Sequence, residues 1–222
     1  MATEVKICGL STAPTLDAAL DAGADFVGLV FFPPSPRHVA PADAAALAAR
    51  ARGRAGIVAL TVDADDALLA EIVAAIRPDV LQLHGRETPA RAADLAARHD
   101  VEVWKAIGVG TAADLAAASP YLGAADRILF DAKPPKDATR PGGNARAFDW
   151  TLLAGLDLAK PFVLSGGLDA GNVAQALRVT GAPAVDVSSG VERAPGDKDP
   201  DNIREFLRAV RTAAGDHRET AA

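Results

Sequence analysis

The sequence predicts an α/β protein, a single (β/α)8 TIM barrel in which a parallel eight-stranded barrel is surrounded by helices. Three observations point there. Apolar, β-branched runs recur along the chain, stretches rich in Ala and Leu lie between them, and the last two runs each end in small residues and glycine. Strict alternation of continuous apolar strands with helices means a parallel sheet covered by helices, and eight such units close on themselves. A doubly wound open sheet is the alternative topology.

The strands are read at 4–8, 25–32, 55–63, 79–84, 101–108, 127–132, 162–165 and 184–188. Helical stretches fall at 14–22, 41–52, 65–76, 89–99, 111–118, 170–180 and 200–213, with a shorter one near 149–156 after a longer turn. Side-chain oxygens ahead of proline or acidic residues mark helix starts at Asp65-Asp66, Thr88-Pro89 and Asp199-Pro200. These are folding signals only. Residues 1–213 form one barrel domain, and 214–222, which lack periodicity, read as a frayed tail.

With 222 residues, half of them hydrophobic and 23% charged, the chain can bury a sizeable core. A net charge of -6 and the absence of a basic cluster exclude nucleic acid as an expected partner. No stretch is long and apolar enough for a membrane span, and Met1 to Lys6 lack a basic region leading into an apolar run, so a cytoplasmic protein without a membrane partner is expected. One cysteine permits no internal disulfide, and four scattered histidines show no metal-ligand spacing. No metal is expected. The sequence leaves the oligomeric state unknown.

The two late glycine turns read as a phosphate cradle. Phe162 to Gly167, with Gly166 and Gly167, and Ala184 to Glu192, with Ser188, Ser189 and Gly190, would bring backbone N–H groups up to an anion, and the helix beginning near Asp169 would add its positive end. Parity adds a polar ring. Lys6 and Cys8 oppose Val5 and Ile7; Gln82 and His84 oppose Leu81 and Leu83; Asp131 and Lys133 oppose Ile128 and Phe130; Asp186 and Ser188 oppose Val185 and Val187. Inward polar groups at the C-terminal ends of strands border a solvated ligand site. Taken singly, each has an ordinary explanation: a small core thiol for Cys8, a cap or a pair with Lys133 for Asp131, a satisfied core imidazole for His84, a surface cation for Arg37. The rigid Pro33-Pro34-Ser35-Pro36 run, however, would hold Arg37 where it could grip a carboxylate. Cradle and arginine together imply an elongated, doubly anionic small molecule.

Seven segments coincide, in order, with one family: Lys6-Ile7-Cys8-Gly9, Asp25-Phe26-Val27-Gly28 followed by Pro33 to Arg37, Gln82-Leu83-His84-Gly85, Phe130-Asp131, Phe148-Asp149-Trp150, Ser165-Gly166-Gly167, and Asp186 to Glu192. Together with Pro195-Gly196-Asp197-Lys198-Asp199 they closely resemble the phosphoribosylanthranilate isomerases of tryptophan biosynthesis, from about residue 4 to 208. The resemblance implies an Amadori rearrangement of a sugar phosphate with no cofactor, Cys8 as general base and Asp131 as general acid. It also implies Arg37 on the anthranilate carboxylate, and Gln82, His84 and Asp186 as further substrate-binding residues. Cys8 then needs nearby positive potential, for which Lys6 is placed by parity, and Asp131 must keep a proton near neutrality.

One stretch departs from the family. Where a third glycine is common, the run is Gly142-Gly143-Asn144-Ala145-Arg146, in a loop expected to cover the ligand. Two other readings are weighed. The related isomerase of histidine biosynthesis would show two similar half-barrels and an aspartate base where Cys8 stands; a non-catalytic phosphate-binding barrel would have no need of Cys8, Asp131 and Arg37 together.

Overall fold

The computed structural model describes residues 2–133, 142 and 147–219. Eight parallel strands close in sequential order: β1 Glu4–Cys8, β2 Phe26–Phe31, β3 Gly56–Thr61, β4 Val80–Leu83, β5 Glu102–Val109, β6 Arg127–Ala132, β7 Phe162–Leu164 and β8 Ala184–Val187, with β8 pairing back onto β1. The helices are α1 Ala13–Asp21, α2 Pro41–Ala51, α3 Asp66–Ile76, α4 Pro89–His99, α5 Val173–Thr180 and α6 Pro200–Glu219. Start signals act as read: the side chains of Asp65 and Thr88 accept from the N–H of Leu68 and Arg91, and Asp199 accepts from that of Asp201. After β8 the chain makes a small antiparallel hairpin, β9 Glu192–Ala194 and β10 Asp197–Lys198.

Four elements differ from expectation, one of them the short helix near 149–156, which is a 3₁₀ turn, Trp150–Leu153. The helix read at 111–118 is a 3₁₀ helix, Ala112–Tyr121, opened by a capping box of Thr111 and Asp114 and carrying Pro120, which has no N–H to continue an α-helical ladder. The helix read from 170 begins only at Val173, because Asp169 Oδ1 accepts from the N–H groups of Gly171 and Asn172 and winds the chain into a turn first. The last helix runs on past 213, to Glu219.

Odd-numbered side chains of β1 and even-numbered ones of β6 face the helices, as in Val5, Ile7, Ile128 and Phe130 of the main core. The opposite parity fills the lumen in two layers. Below lie Val58, Val80, Trp104, Ala106, Leu129, Val163 and Ala184, with Phe26 packed on them; above lie Cys8, Val30 and Leu60. Arg127 closes the floor, its guanidinium 5.0 Å from the Trp104 ring centroid and 5.4 Å from that of Phe26, and ion-paired to Glu4. At the same end Asp25, Asp79 and Asp126, each just before the next strand, accept from the first inner N–H groups of β1, β3 and β5, those of Val5, Ile57 and Val103. That rim is committed to structure.

Outside the barrel wall, Lys105 of β5 is 2% exposed and donates to Leu83 O at 3.2 Å, Gly85 O at 2.7 Å and Glu87 Oε2 at 3.0 Å. Glu87 in turn accepts from the N–H groups of Asp63 and Gly85. The network stitches the ends of β3, β4 and β5 together.

Candidate active site

The C-terminal ends of the strands carry the polar ring that parity predicts. Strand register sets Lys6 beside Asp186, and Lys6 Nζ donates to Asp186 Oδ1 at 2.8 Å; Ser165 Oγ donates to Asp186 Oδ2 at 3.1 Å. Asp186 is thus held by two neighbours inside the wall. Cys8 is 3% exposed next to this pair. Burial pushes its thiol up, Lys6 and Lys198 pull it down, Asp186 adds to the rise, and the net direction is up. The positive potential expected around Cys8 is present, but desolvation outweighs it. For Lys6, burial lowers the pKa and Asp186 with Cys8 more than restores it, so the ammonium stays charged.

Across the lumen, His84 Nε2 lies 3.2 Å from Asp131 Oδ2, and Gln82 Nε2 lies 3.0 Å from His84 Nδ1. β4 and β6 are separated by β5, so these side chains meet only because they point to the axis. Among the described residues Gln82 Oε1 is buried without a hydrogen-bond partner. An amide NH₂ can only donate, so in this orientation Nδ1 accepts and Nε2–H points at the Asp131 carboxylate. When Asp131 carries the proton the roles reverse: its O–H donates to Nε2, and Nδ1–H needs Gln82 turned to present Oε1. The Gln82–His84 pair can therefore serve both protonation states of the acid. Asp131 does not pair with Lys133, which points outward to Asp114 at 2.7 Å. Its Oδ1 instead accepts from the N–H of Ala132 at 2.8 Å.

The two glycine turns adjoin each other. Gly166 and Gly167 sit at φ +86° and +66°, and a β-carbon on Gly166 would meet Ala132 N at 2.5 Å and Asp131 Oδ1 at 3.0 Å, so the β7 turn passes directly over the acid. Ser189 and Gly190 lie in a short 3₁₀ turn, Ser189–Val191, with Gly190 against the Leu168 carbonyl, and Ser188 Oγ donates to Cys8 O at 3.2 Å. Among the described residues the N–H groups of Gly166, Gly167 and Leu168 have no backbone acceptor. α5 starts at Val173, with the turn held by Asp169 between it and the glycines.

Arg37 is 4% exposed, and its guanidinium is already engaged: Nε and Nη2 donate to Glu192 Oε1 and Oε2 at 2.6 and 2.7 Å. Lys198 Nζ donates to the same Glu192 at 2.8 Å and to Ser188 O at 2.8 Å. Glu192 and Lys198 stand within motifs read from the sequence, and only their charge marks them there; their contacts with Arg37 and Ser188 come from the fold. Of the departing run, Gly142 alone lies within the described residues, beside Asp131 and His84; Gly143 to Arg146 lie outside them, as does Pro134 to Asp137.

A thiol and a carboxyl facing one lumen, two adjoining glycine turns and a buried guanidinium, all at the C-terminal ends of the strands, are the arrangement of a (β/α)8-barrel enzyme. The comparisons make this specific. The family model described as N-(5'-phosphoribosyl)anthranilate isomerase matches residues 5–209, and the chain belongs to that family. A protein of that name from Rhodopseudomonas palustris strain BisA53 is 63% identical over 95% of this chain and 97% of its own length, and one from Bradyrhizobium sp. strain ORS 278 is 61% identical over 96% and 97%. Among solved structures, the Thermotoga maritima phosphoribosyl anthranilate isomerase matches with TM-score 0.85 at 34% identity, covering 95% of this chain and 99% of that one. A member of the family in complex with reduced 1-(o-carboxyphenylamino)-1-deoxyribulose 5-phosphate matches with TM-score 0.83 at 33% identity over the same shares. Among the described residues no helix is long and apolar enough to cross a membrane.

Proposed function

We infer that the chain isomerises N-(5'-phosphoribosyl)anthranilate to 1-(2-carboxyphenylamino)-1-deoxyribulose 5-phosphate in tryptophan biosynthesis, working in the cytoplasm on this sugar phosphate. The observation carrying the reading is the pairing of family membership with Cys8 and Asp131 facing one lumen. Asp131 protonates the furanose ring oxygen as the C1–O bond breaks, giving an open-chain imine. Cys8 removes the proton from C2, and the resulting enolamine tautomerises to the ketone. The proton that Asp131 gives is matched by the one that Cys8 takes, so substrate and product are isomers and no electron is gained or lost. His84 steadies the Asp131 carboxyl in either protonation state, and Lys6, fixed by Asp186, faces the thiolate as it forms. The N–H groups of the Gly166-Gly167 turn, with Ser188, Ser189 and Gly190, hold the phosphate; Arg37 holds the anthranilate carboxylate. The test is to mix purified protein with freshly generated substrate and follow the loss of anthranilate fluorescence. Rapid decay that is absent from a Cys8→Ala, Asp131→Asn double variant is expected; equal decay with both proteins would sink the assignment.

A further inference from the structure

The β9–β10 hairpin stands apart from the barrel, yet the two charged side chains it aims inward are almost fully buried. Lys198 is 2% exposed, and both partners of the Arg37–Glu192 pair have side chains 4% exposed. Burial of such a cluster gains little stability by itself, because desolvation offsets attraction. What the hairpin does hold is Arg37. Glu192 takes Nε–H and one Nη2–H of its guanidinium, and Lys198 ties Glu192 to the Ser188 carbonyl. The hairpin turn is seated on the same loop: Gly196, at φ +87°, comes so close to the Pro36 carbonyl that a β-carbon there would lie 2.5 Å from its oxygen. Loop and hairpin thus fix the guanidinium from both sides.

A guanidinium has five N–H groups, and two are spent on Glu192. The side-on fork, Nε with Nη2, is therefore closed to any ligand; among the described residues nothing takes the end-on pair, Nη1 with the second Nη2–H. One carboxylate between two cations also leaves the cluster with net positive charge. We propose that Glu192, braced by Lys198, is a positioning residue that presents the end-on edge of Arg37 to the substrate's aromatic carboxylate, so that the hairpin determines the preference for a carboxylated arylamine. This rests on the placing of Arg37 under the proposed function.

The experiment measures binding of two probes to the full chain: the reduced product analogue and its counterpart lacking only the ring carboxylate. Arg37→Ala is expected to weaken the carboxylated probe by about tenfold or more, the worth of one charge-assisted pair, and the other probe hardly at all. Glu192→Gln is isosteric, and Glu192→Asp keeps the charge but shortens the reach. Both are expected to weaken the carboxylated probe by about fivefold, again less than a full charge-assisted pair, and to add nothing to Arg37→Ala in a double variant. Equal weakening of both probes by the Glu192 variants, or of neither, while Arg37→Ala stays selective, overturns the proposal alone. Loss of selectivity in Arg37→Ala itself overturns the placing of Arg37 and the proposal with it.

Discussion

Lys6 and Lys105 make the same contact in opposite directions. Each is a buried strand lysine with Nζ 2.8 or 3.0 Å from a carboxylate oxygen. Lys105 turns out of the barrel and spends its three protons on Leu83 O, Gly85 O and Glu87, so it is a clamp on the β4 turn. Lys6 turns into the lumen, gives one proton to Asp186, and keeps the Cys8 thiol within its field. Neither pair is explained by the attraction between its charges, which desolvation largely cancels. The difference lies in what else each lysine faces: backbone carbonyls in one, a thiol in the other. Strand parity decides which.

The contrast is sharpest for groups on the lumen side. Asp131→Asn is expected to cut turnover by about 10²–10⁴-fold, the usual worth of a positioned proton donor, while affinity for the product analogue stays within about tenfold; a full-speed variant removes Asp131 from the chemistry. Lys105→Met should do the reverse. Leaving Glu87 buried without its cation is expected to lower stability by about 3–5 kcal/mol in urea unfolding, with turnover per folded molecule unchanged. A large turnover loss at full stability would erase the distinction between the two faces.

Titration separates the regions next. Because burial raises the Cys8 thiol despite Lys6 and Lys198, the thiolate fraction grows with pH through the alkaline range. The Michaelis-regime rate, kcat/KM, is expected to climb with it, and a profile already flat at neutrality would show the thiol to be ionised there. The smallest effect concerns Lys198, whose pKa burial lowers to about 8 against the opposing pull of Glu192. The unfolded chain, with an ordinary lysine near 10.5, binds more protons between those values. Stability therefore carries the full cost of the charged, buried ammonium below about pH 8 and recovers as pH rises toward 10.5. Lys198→Met should flatten that slope in urea midpoints; an unchanged slope would assign it elsewhere.

Much of this was legible because period-two alternation is a local property. Cys8, Gln82, His84, Asp131 and Asp186 were assignable to the lumen from their neighbours alone, and they are there. The pairing of Arg37 with Glu192 was not, since 155 residues separate them and only barrel closure brings the β2 loop to the β8 hairpin. The 3₁₀ segment at Ala112–Tyr121 departs for a different reason: its Ala-rich composition favours α-helix, whereas Pro120 has no N–H to carry the α-helical ladder through its end. Lys105 gave no signal beyond its odd position in an apolar run, and its carbonyl partners cannot be read from side-chain patterns.

The stack of Arg127 on Trp104 and Phe26, pinned by Glu4, makes the lumen a tube sealed at its base. Protons on Cys8 and Asp131 then trade with bulk water by way of the mouth, where a seated ligand stands. With Cys8 as the proposed base, the proton taken from C2 is expected to linger on sulfur until that ligand shifts or departs. Washout of deuterium from C2 into water, measured against product formation, reads that isolation directly: washout faster than product would mean that the seal leaks.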